Sequence, residues 1–545
     1  MKGTVLFIQL TRIGDLVQTL QAVRQFKGET PGIECHLIAR KSMGRGIDFL
    51  LRTVFEKIFY LDTKDLLIEG TFASGQRNLK HFINRINETT YDVSVNFSYT
   101  KSSSYLHSLV RSNQMLGLTR NDKTEVSVTD PWSQYVYSSV MRGTNTPFNL
   151  VDIYRYSLGC KELLVLQNES EEVRENRIVI HPFASSKKKS WGATKWVEVI
   201  YKLLNEYTNY DIHLVGAPND LEEVSKIVNS PALEKVKSRL KSHVGDFAIE
   251  ETYALLQRAK LFIGHDSLVS HLAAETLTQS IVISLGTVRP HETTAYSDKV
   301  VNLVPRNSCF PCKVDDRCEL LPCHNSIQHQ VVTKVAESYL SDGLKDINTC
   351  LAELSPFHTA NLKIYKSEYT ETGLRLNELT KNYSDINDVF KNYYEIIFQY
   401  YLRGTDINTS LPDITVETAN NLSQYIEGTN HLFELYNFGV RYCNQIIKAS
   451  EQKQVDYAEL QAAVKKLNEV DQLCQITKQT YPLLADLIDF FHVNKANTPG
   501  NNLSEIAKSS LLCFYDASNL AAVMNDFIKN TVESKINVAE SIKEV

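Results

Sequence analysis

Up to residue 345 the chain alternates short apolar, β-branched runs with segments whose apolar residues recur at helical spacing. That alternation predicts parallel sheets joined by crossover helices. Val5–Leu10 is the first apolar run. A tight turn at Arg12-Ile13-Gly14-Asp15 follows, then a helix whose inner face carries Leu16, Leu20 and Val23. Cys35–Ala39 and Tyr91–Phe97 are further strands, whereas residues 100–170 are more polar and fit no clear period. A second set starts near Arg177. It holds strand Ile178–Ile180, a helix through Trp196, Val199, Ile200, Leu203 and Leu204, strand Asp211–Val215, helix Glu251–Ala259, strand Leu261–Ile263, a helix from Leu268, and strand Ile281–Leu285.

Beyond residue 345 glycine and strand patterns thin out and helical stripes take over. One stripe is Val389, Tyr393, Ile396, Ile397 and Tyr400. Another is Leu422, Tyr425, Ile426, Phe433 and Tyr436, and a third is Leu483, Leu484, Leu487, Ile488 and Phe491. Pro412-Asp413 and Thr498-Pro499-Gly500 read as loops between helices. The 545 residues exceed what one core holds, since domains run to roughly 100–200 residues. The expected organisation is α/β: two Rossmann-like domains over 1–172 and 173–345 with a cleft between them, then an all-α domain over 346–545. No repeat of fixed period suggests a solenoid.

Composition narrows the function classes. Hydrophobic residues at 43% and charged residues at 22% are the balance of a soluble globular protein. The net charge of −6 gives no general attraction to nucleic acid, and Lys187-Lys188-Lys189 alone is too short for a basic patch. No segment reaches the ~18 consecutive apolar residues of a membrane span. The Val5–Ile8 run is too short for a secretion signal, and no Lys-rich amphipathic helix stands out. A cytoplasmic protein with at most peripheral membrane contact is expected.

In that compartment the ten cysteines are expected as thiols. Six are scattered singly. Cys309, Cys312, Cys318 and Cys323 instead form C-x2-C-x5-C-x4-C, within the range of a tetrahedral thiolate site. A closed four-ligand site is structural, so zinc or iron is expected there without a catalytic role. His324 or His329 is an alternative ligand, and a cluster of free thiols is the other reading.

Three strand-to-helix turns carry residues suited to chemistry, at the carboxyl ends of strands where open α/β sheets bind ligands. In Leu10-Thr11-Arg12-Ile13-Gly14-Asp15, the aspartate serves either as a helix cap or as a functional carboxylate, and Gly14 allows close approach to a ligand. His181-Pro182-Phe183-Ala184-Ser185-Ser186-Lys187-Lys188-Lys189-Ser190-Trp191 is rich in hydroxyls and cations, as a phosphate site requires and as a solvated basic loop also is. Gly264-His265-Asp266-Ser267-Leu268-Val269-Ser270-His271-Leu272-Ala273-Ala274 opens a helix whose free N–H groups suit a diphosphate. His271 sits one turn in, where a lone histidine is more often a packed, satisfied residue than a catalyst.

These pieces, in this order, resemble glycosyltransferase family 9, the ADP-heptose-dependent heptosyltransferases. The matching elements are Ile13-Gly14-Asp15, Lys189-Ser190-Trp191, Gly216-Ala217-Pro218 with Asp220, Asp266-Ser267 with Ser270-His271-Leu272-Ala273, and Gly286-Thr287. The chain departs from the pattern at Leu268, where glycine is commoner, at Asp220, where several relatives have glutamate, and at Gly286-Thr287-Val288-Arg289-Pro290. The resemblance spans residues 1–340.

That resemblance implies a GT-B architecture, with two Rossmann-like domains facing each other. It also implies inverting transfer of a heptose or similar sugar from an ADP-sugar to a hydroxyl of a protein or of the lipopolysaccharide inner core, with no catalytic metal. Asp15 is then the general base, and Lys189 neutralises the leaving diphosphate. Ser185, Gly216, Asp220, Asp266, Ser267, His271, Gly286 and Thr287 line the donor, with Asp220 at the ribose and Asp266 at sugar hydroxyls. Arg12 and Gly14 lie on the acceptor side. Relatives that modify bacterial autotransporter proteins carry an iron-binding cysteine loop. The helical domain is expected to recognise a protein acceptor or to form a homo-oligomer. Two other readings compete: an inactive nucleotide-sugar-binding scaffold, and a redox or metal sensor. Asp15, Lys189, Asp266 and His271 occurring together argue against a decayed site.

Overall fold

The computed structural model describes residues 3–64, 72–141, 146–165, 174–313, 315–341, 345–380, 385–407, 412–452 and 456–543. The chain divides into two compact units. One comprises 1–98, 109–114 and 148–380; the other comprises 99–108, 115–147 and 381–545.

In the first unit, β1 (Thr4–Gln9), β2 (Glu34–Arg40), β3 (Lys57–Leu61) and β4 (Tyr91–Asn96) lie parallel in the order β3-β2-β1-β4. β1 is central and Val5–Ile8 are all buried, which is why it reads as one apolar run rather than an alternation. Helix α1 (Ile13–Glu29) returns across the sheet and begins one residue after Arg12, so the expected tight turn is already the first helical turn. β5 (Ser112–Arg120) runs into the second unit, where it pairs antiparallel with β6 (Val126–Val128). Helix α2 (Leu150–Ser157) belongs to the first unit.

The second Rossmann-like half has β7 (Glu175–His181), β8 (Asp211–Leu214), β9 (Leu240–Ser242), β10 (Ala259–His265), β11 (Gln279–Ile283) and β12 (Val300–Pro305), all parallel. α3 (Ala193–Glu206) and α5 (His329–Leu340) cover one face, and α4 (Leu268–Glu275) follows β10. Ile178, Ile180, Ile263 and Ile281 from the strands pack with Trp196, Leu203 and Val332 from the helices. Each such side chain contributes about 1.5–3 kcal/mol by leaving water.

The expected all-α region from 346 needs correction. β13 (Leu362–Thr370) and β14 (Gly373–Glu378) form an antiparallel hairpin on the edge of β12, completing the order β14-β13-β12-β11-β10-β7-β8-β9. Leu362 to Tyr365 are all buried, Lys363 among them, so this strand has no exposed face to set a clean period-2 pattern in the sequence.

The second unit is mainly helical: α6 (Ile386–Arg403), α7 (Val416–Ser450), α8 (Tyr457–Thr480), α9 (Ala485–Ala496) and α10 (Leu503–Lys543). The predicted stripes are buried at Val389, Tyr393, Ile397, Leu422, Tyr425, Tyr436, Leu487, Ile488 and Phe491, while Tyr400 and Phe433 are exposed. Residues 115–147, taken as part of the first domain, join this unit. Tyr135 meets Phe398 edge-on at 4.7 Å, so the pattern there answers to partners more than 250 positions away. Among the described residues no helix is long and apolar enough to cross a membrane.

The two halves of the first unit are tied by a buried charge network. Asp152 of α2 accepts from Arg155 Nε (2.8 Å), Tyr296 Oη (2.6 Å) and the Leu374 amide (2.9 Å), and Arg155 also donates to the Thr372 carbonyl. Burial pushes the Asp152 carboxyl up, and the Arg155 guanidinium opposes it. Removing one partner of a buried pair strands the other charge, at about 3–5 kcal/mol. Arg155→Leu should therefore lower the unfolding transition of this unit by about that amount in a urea titration. A loss below ~1 kcal/mol would show that the network contributes little.

Candidate active site

The β1–α1 junction presents Asp15 at the third position of α1. Its Oδ2 accepts from the Arg12 amide (3.0 Å) and the Thr11 hydroxyl (2.5 Å). The Thr11 hydroxyl also lies 2.6 Å from Gln9 Oε1; with a single proton it serves one acceptor at a time. Asp15 thus caps its helix through Oδ2, while Oδ1 takes no hydrogen bond among the described residues. Arg12 is exposed and Asp15 half-buried.

Gly14 packs directly on the His271 ring: a Cβ at residue 14 would lie 3.0 Å from His271 Cδ2 and 3.1 Å from Nε2. His271 is buried, and its Nδ1 has no hydrogen-bond partner among the described residues. Its Nε2 lies 4.0 Å from Asp266 Oδ1, and Asp266 Oδ2 accepts from the Thr293 hydroxyl at 3.0 Å. Burial lowers the His271 pKa, with Asp266, Asp15 and Glu275 opposing. Lys189 is lowered by burial too; Asp266 opposes the shift, Arg12 reinforces it, and Asp15 opposes it. These mutual influences place Asp15, Arg12, Lys189, Asp266 and His271 in one electrostatic cluster, drawn from both halves of the unit.

Other predicted positions form its surroundings. Ser267 caps α4, its hydroxyl 3.1 Å from His181 Nδ1, and burial pushes His181 down to about 4. Gly286 has φ +62° and abuts the Lys188 carbonyl, where a Cβ would approach to 2.7 Å. Thr287 beside it is half-buried. Gly216 packs against Phe183, and Asp220 Oδ2 accepts from the Ala217 amide at 2.8 Å, so that carboxylate is partly engaged as a cap. Burial raises the Asp220 pKa. Ser185 is exposed.

The sequence reading gave no role to Thr11, Thr293, His181 and His265, and took His324 only as an alternative metal ligand. His181 and His265 lay inside quoted turns; Thr293 carried no local signal.

The four cysteines occupy one segment of the chain. Cys312 and Cys323 are buried, Cys318 is half-buried and Cys309 exposed. The thiols lie close enough for Cys309 and Cys318 to help push up the pKa values of both buried ones, after burial itself. Yet among the described residues no group of three or more His, Cys, Asp or Glu is arranged to hold a metal ion. The segment is tied by its backbone instead: the Cys312 amide donates to the Gly286 carbonyl at 2.8 Å.

The profile of glycosyltransferase family 9 (heptosyltransferase) matches residues 82–322. The chain carries a family 9 glycosyltransferase domain. Residues 82–322 are thus a glycosyltransferase domain of the heptosyltransferase type. A search of curated proteins finds no match. Among solved structures, the chain is similar to the glycosyl transferase family 9 protein from Veillonella parvula, at 14% identity, covering 62% of this chain and 98% of that one, with a TM-score of 0.47. E. coli heptosyltransferase WaaC with ADP shows 15% identity over 55% of this chain and 92% of that one, TM-score 0.42. The dodecameric iron-containing heptosyltransferase TibC in complex with ADP-D-beta-D-heptose shows 13% identity over 66% and 76%, TM-score 0.35. Asp15 lies outside the matched segment, whereas Lys189, Asp266 and His271 lie within it.

The Gly14–His271 contact yields a direct test. Overpacking a filled site costs about 1–3 kcal/mol. Gly14→Ala should destabilise by that amount in denaturant titrations, and the same change in a His271→Ala background should cost much less. Equal costs in both backgrounds would mean that the ring is not what excludes the methyl group.

Proposed function

We propose that this protein transfers a heptose or closely similar sugar from an ADP-sugar to a hydroxyl, with inversion at the anomeric carbon. The observation that carries this reading is that Gly14, beside Asp15, packs on His271, which lies 4.0 Å from Asp266, and that Lys189 feels the charges of Asp266, Arg12 and Asp15. The heptose follows the family description; the ADP moiety follows the motif resemblance.

Asp15 takes the proton of the acceptor hydroxyl through Oδ1 while that oxygen attacks the anomeric carbon. The bond from that carbon to the diphosphate oxygen breaks and ADP leaves. Lys189 and the amides at the start of α4 meet the charge that builds on the diphosphate. An incoming diphosphate opposes the burial that depresses Lys189, so the donor holds the lysine in its charged form. Asp266, held by Thr293, faces sugar hydroxyls, and Asp220 with Gly216 faces the nucleoside. Ser185, Ser267, Gly286 and Thr287 complete the donor side. The helical unit, with helices of 35 and 41 residues, supports a macromolecular acceptor, a protein ahead of lipopolysaccharide.

Two measurements test this. Asp15→Asn should cut transfer at least ~10²-fold, the usual share of general-base catalysis, while leaving ADP binding by calorimetry unchanged. Near-normal turnover would remove Asp15 from the role. In thermal-shift assays ADP-heptose should raise the melting temperature where UDP- and GDP-sugars do not; a response to either of those instead would overturn the donor.

A further inference from the structure

Residues 182–192, which carry Lys189, form neither helix nor strand. Lys189 Nζ makes no hydrogen bond of its own among the described residues, so whatever grips the loop decides where the ammonium stands. The loop's internal bonds are local: Lys189 N to Ser186 O at 3.0 Å, and Ala184 N to Ser190 Oγ at 3.0 Å. Two histidines from distant segments supply the outer anchors.

On one side, the Trp191 amide donates to His265 Nε2 at 3.0 Å. An amide can only donate, so this nitrogen carries no proton. Nδ1 carries it and donates to the Ile283 carbonyl at 3.3 Å. Burial, which pushes His265 down to about 3, keeps the ring in this neutral form. The ring also stands edge-on to Trp196 at 5.5 Å, which fixes its plane.

On the other side, the Lys188 carbonyl lies 2.9 Å from His324 Nε2. A carbonyl can only accept, so here Nε2 is the protonated nitrogen. The His324 carbonyl accepts in turn from the Trp191 indole at 3.3 Å and from Lys195 Nζ at 2.5 Å. The Lys188 ammonium donates to the Asp316 carbonyl, and the Lys188 carbonyl rests against Gly286. Lys189 is thus pinned one residue before and two residues after its own position. One imidazole acts there as a donor and the other as an acceptor.

We infer that His265 and His324 are positioning residues that aim Lys189 at the leaving diphosphate, and that the cysteine-bearing segment serves the donor site by presenting His324. The inference rests on the role proposed for Lys189 above. Neither histidine need touch the donor: each acts through the backbone of the lysine loop.

The test is a double-mutant cycle read by calorimetry with ADP as the probe, with thermal melting to confirm folding. His324→Leu should weaken ADP binding about five- to tenfold, the worth of one net hydrogen bond. His324→Gln, which keeps an N–H donor at the end of the side chain, should restore most of the loss. Lys189→Met should weaken ADP on its own, and adding His324→Leu to it should cost little more, because the histidine acts through the lysine. The same factor in both backgrounds would overturn the proposal. So would a normal affinity in His324→Leu where Lys189→Met is weakened. Unchanged ADP binding in Lys189→Met would overturn the role of the lysine, and this inference with it. Where His324→Leu does not fold, Trp191→Phe, which deletes the indole bond to the His324 carbonyl, takes its place in the cycle.

Discussion

The close contact between the start of α1 and the His271 ring sets the spacing on which the rest of the site depends. A Cβ at Gly14 would crowd the His271 ring at 3.0 Å, so the two halves of the first unit meet closely there. Asp15 is the next residue on one side, and Asp266 lies 4.0 Å from the ring on the other. The same two helices are tied one turn or more further along by Arg24 and Glu275, which pair through two hydrogen bonds of 3.1 and 2.7 Å with the carboxylate almost fully buried. A bidentate pair fixes orientation as well as distance. The base and the donor-side carboxylate are therefore held across a gap that one glycine defines. Transfer chemistry rewards such fixed geometry, because reacting atoms must lie within about 3–3.5 Å.

Charge is arranged in the same region so that a diphosphate has something to complete. Burial disfavours the charged forms of both Lys189 and His271, and the two carboxylates only partly compensate. A bound anion shifts that balance toward the charged lysine. The Asp152–Arg155 network works differently. Its partners already satisfy one another across the two halves, so it stabilises without a ligand and leaves no vacancy for one.

The cysteine-bearing segment also carries hydrogen bonds to the loop of Lys188 and Trp191 and to Gly286. Spacing drew attention to its sulfurs, and the tertiary structure adds a histidine and several carbonyls that join it to the lysine loop.

The α/β alternation, the central strand Val5–Ile8, the helical stripes and the order of the site motifs were legible from the sequence because each depends on neighbours within a few positions. Asp15, Asp266 and His271 belong to that class: strand-to-helix turns declare themselves locally. The hairpin at Leu362–Glu378 was hidden because its first strand is buried on both faces from Leu362 to Tyr365, and the membership of residues 115–147 in the helical unit depended on distant partners such as Phe398. The roles of Thr293, His265 and His324 were decided only in three dimensions. Thr293 meets Asp266 across 27 positions, His265 meets Trp191 across 74, and His324 meets Lys188 across 136. The sequence by itself determined the periodicities and turns from which the elements form. Which donor faces which acceptor was left to the tertiary structure, because a hydrogen bond needs its atoms within about 3 Å, and only the packed sheets bring such distant residues that close.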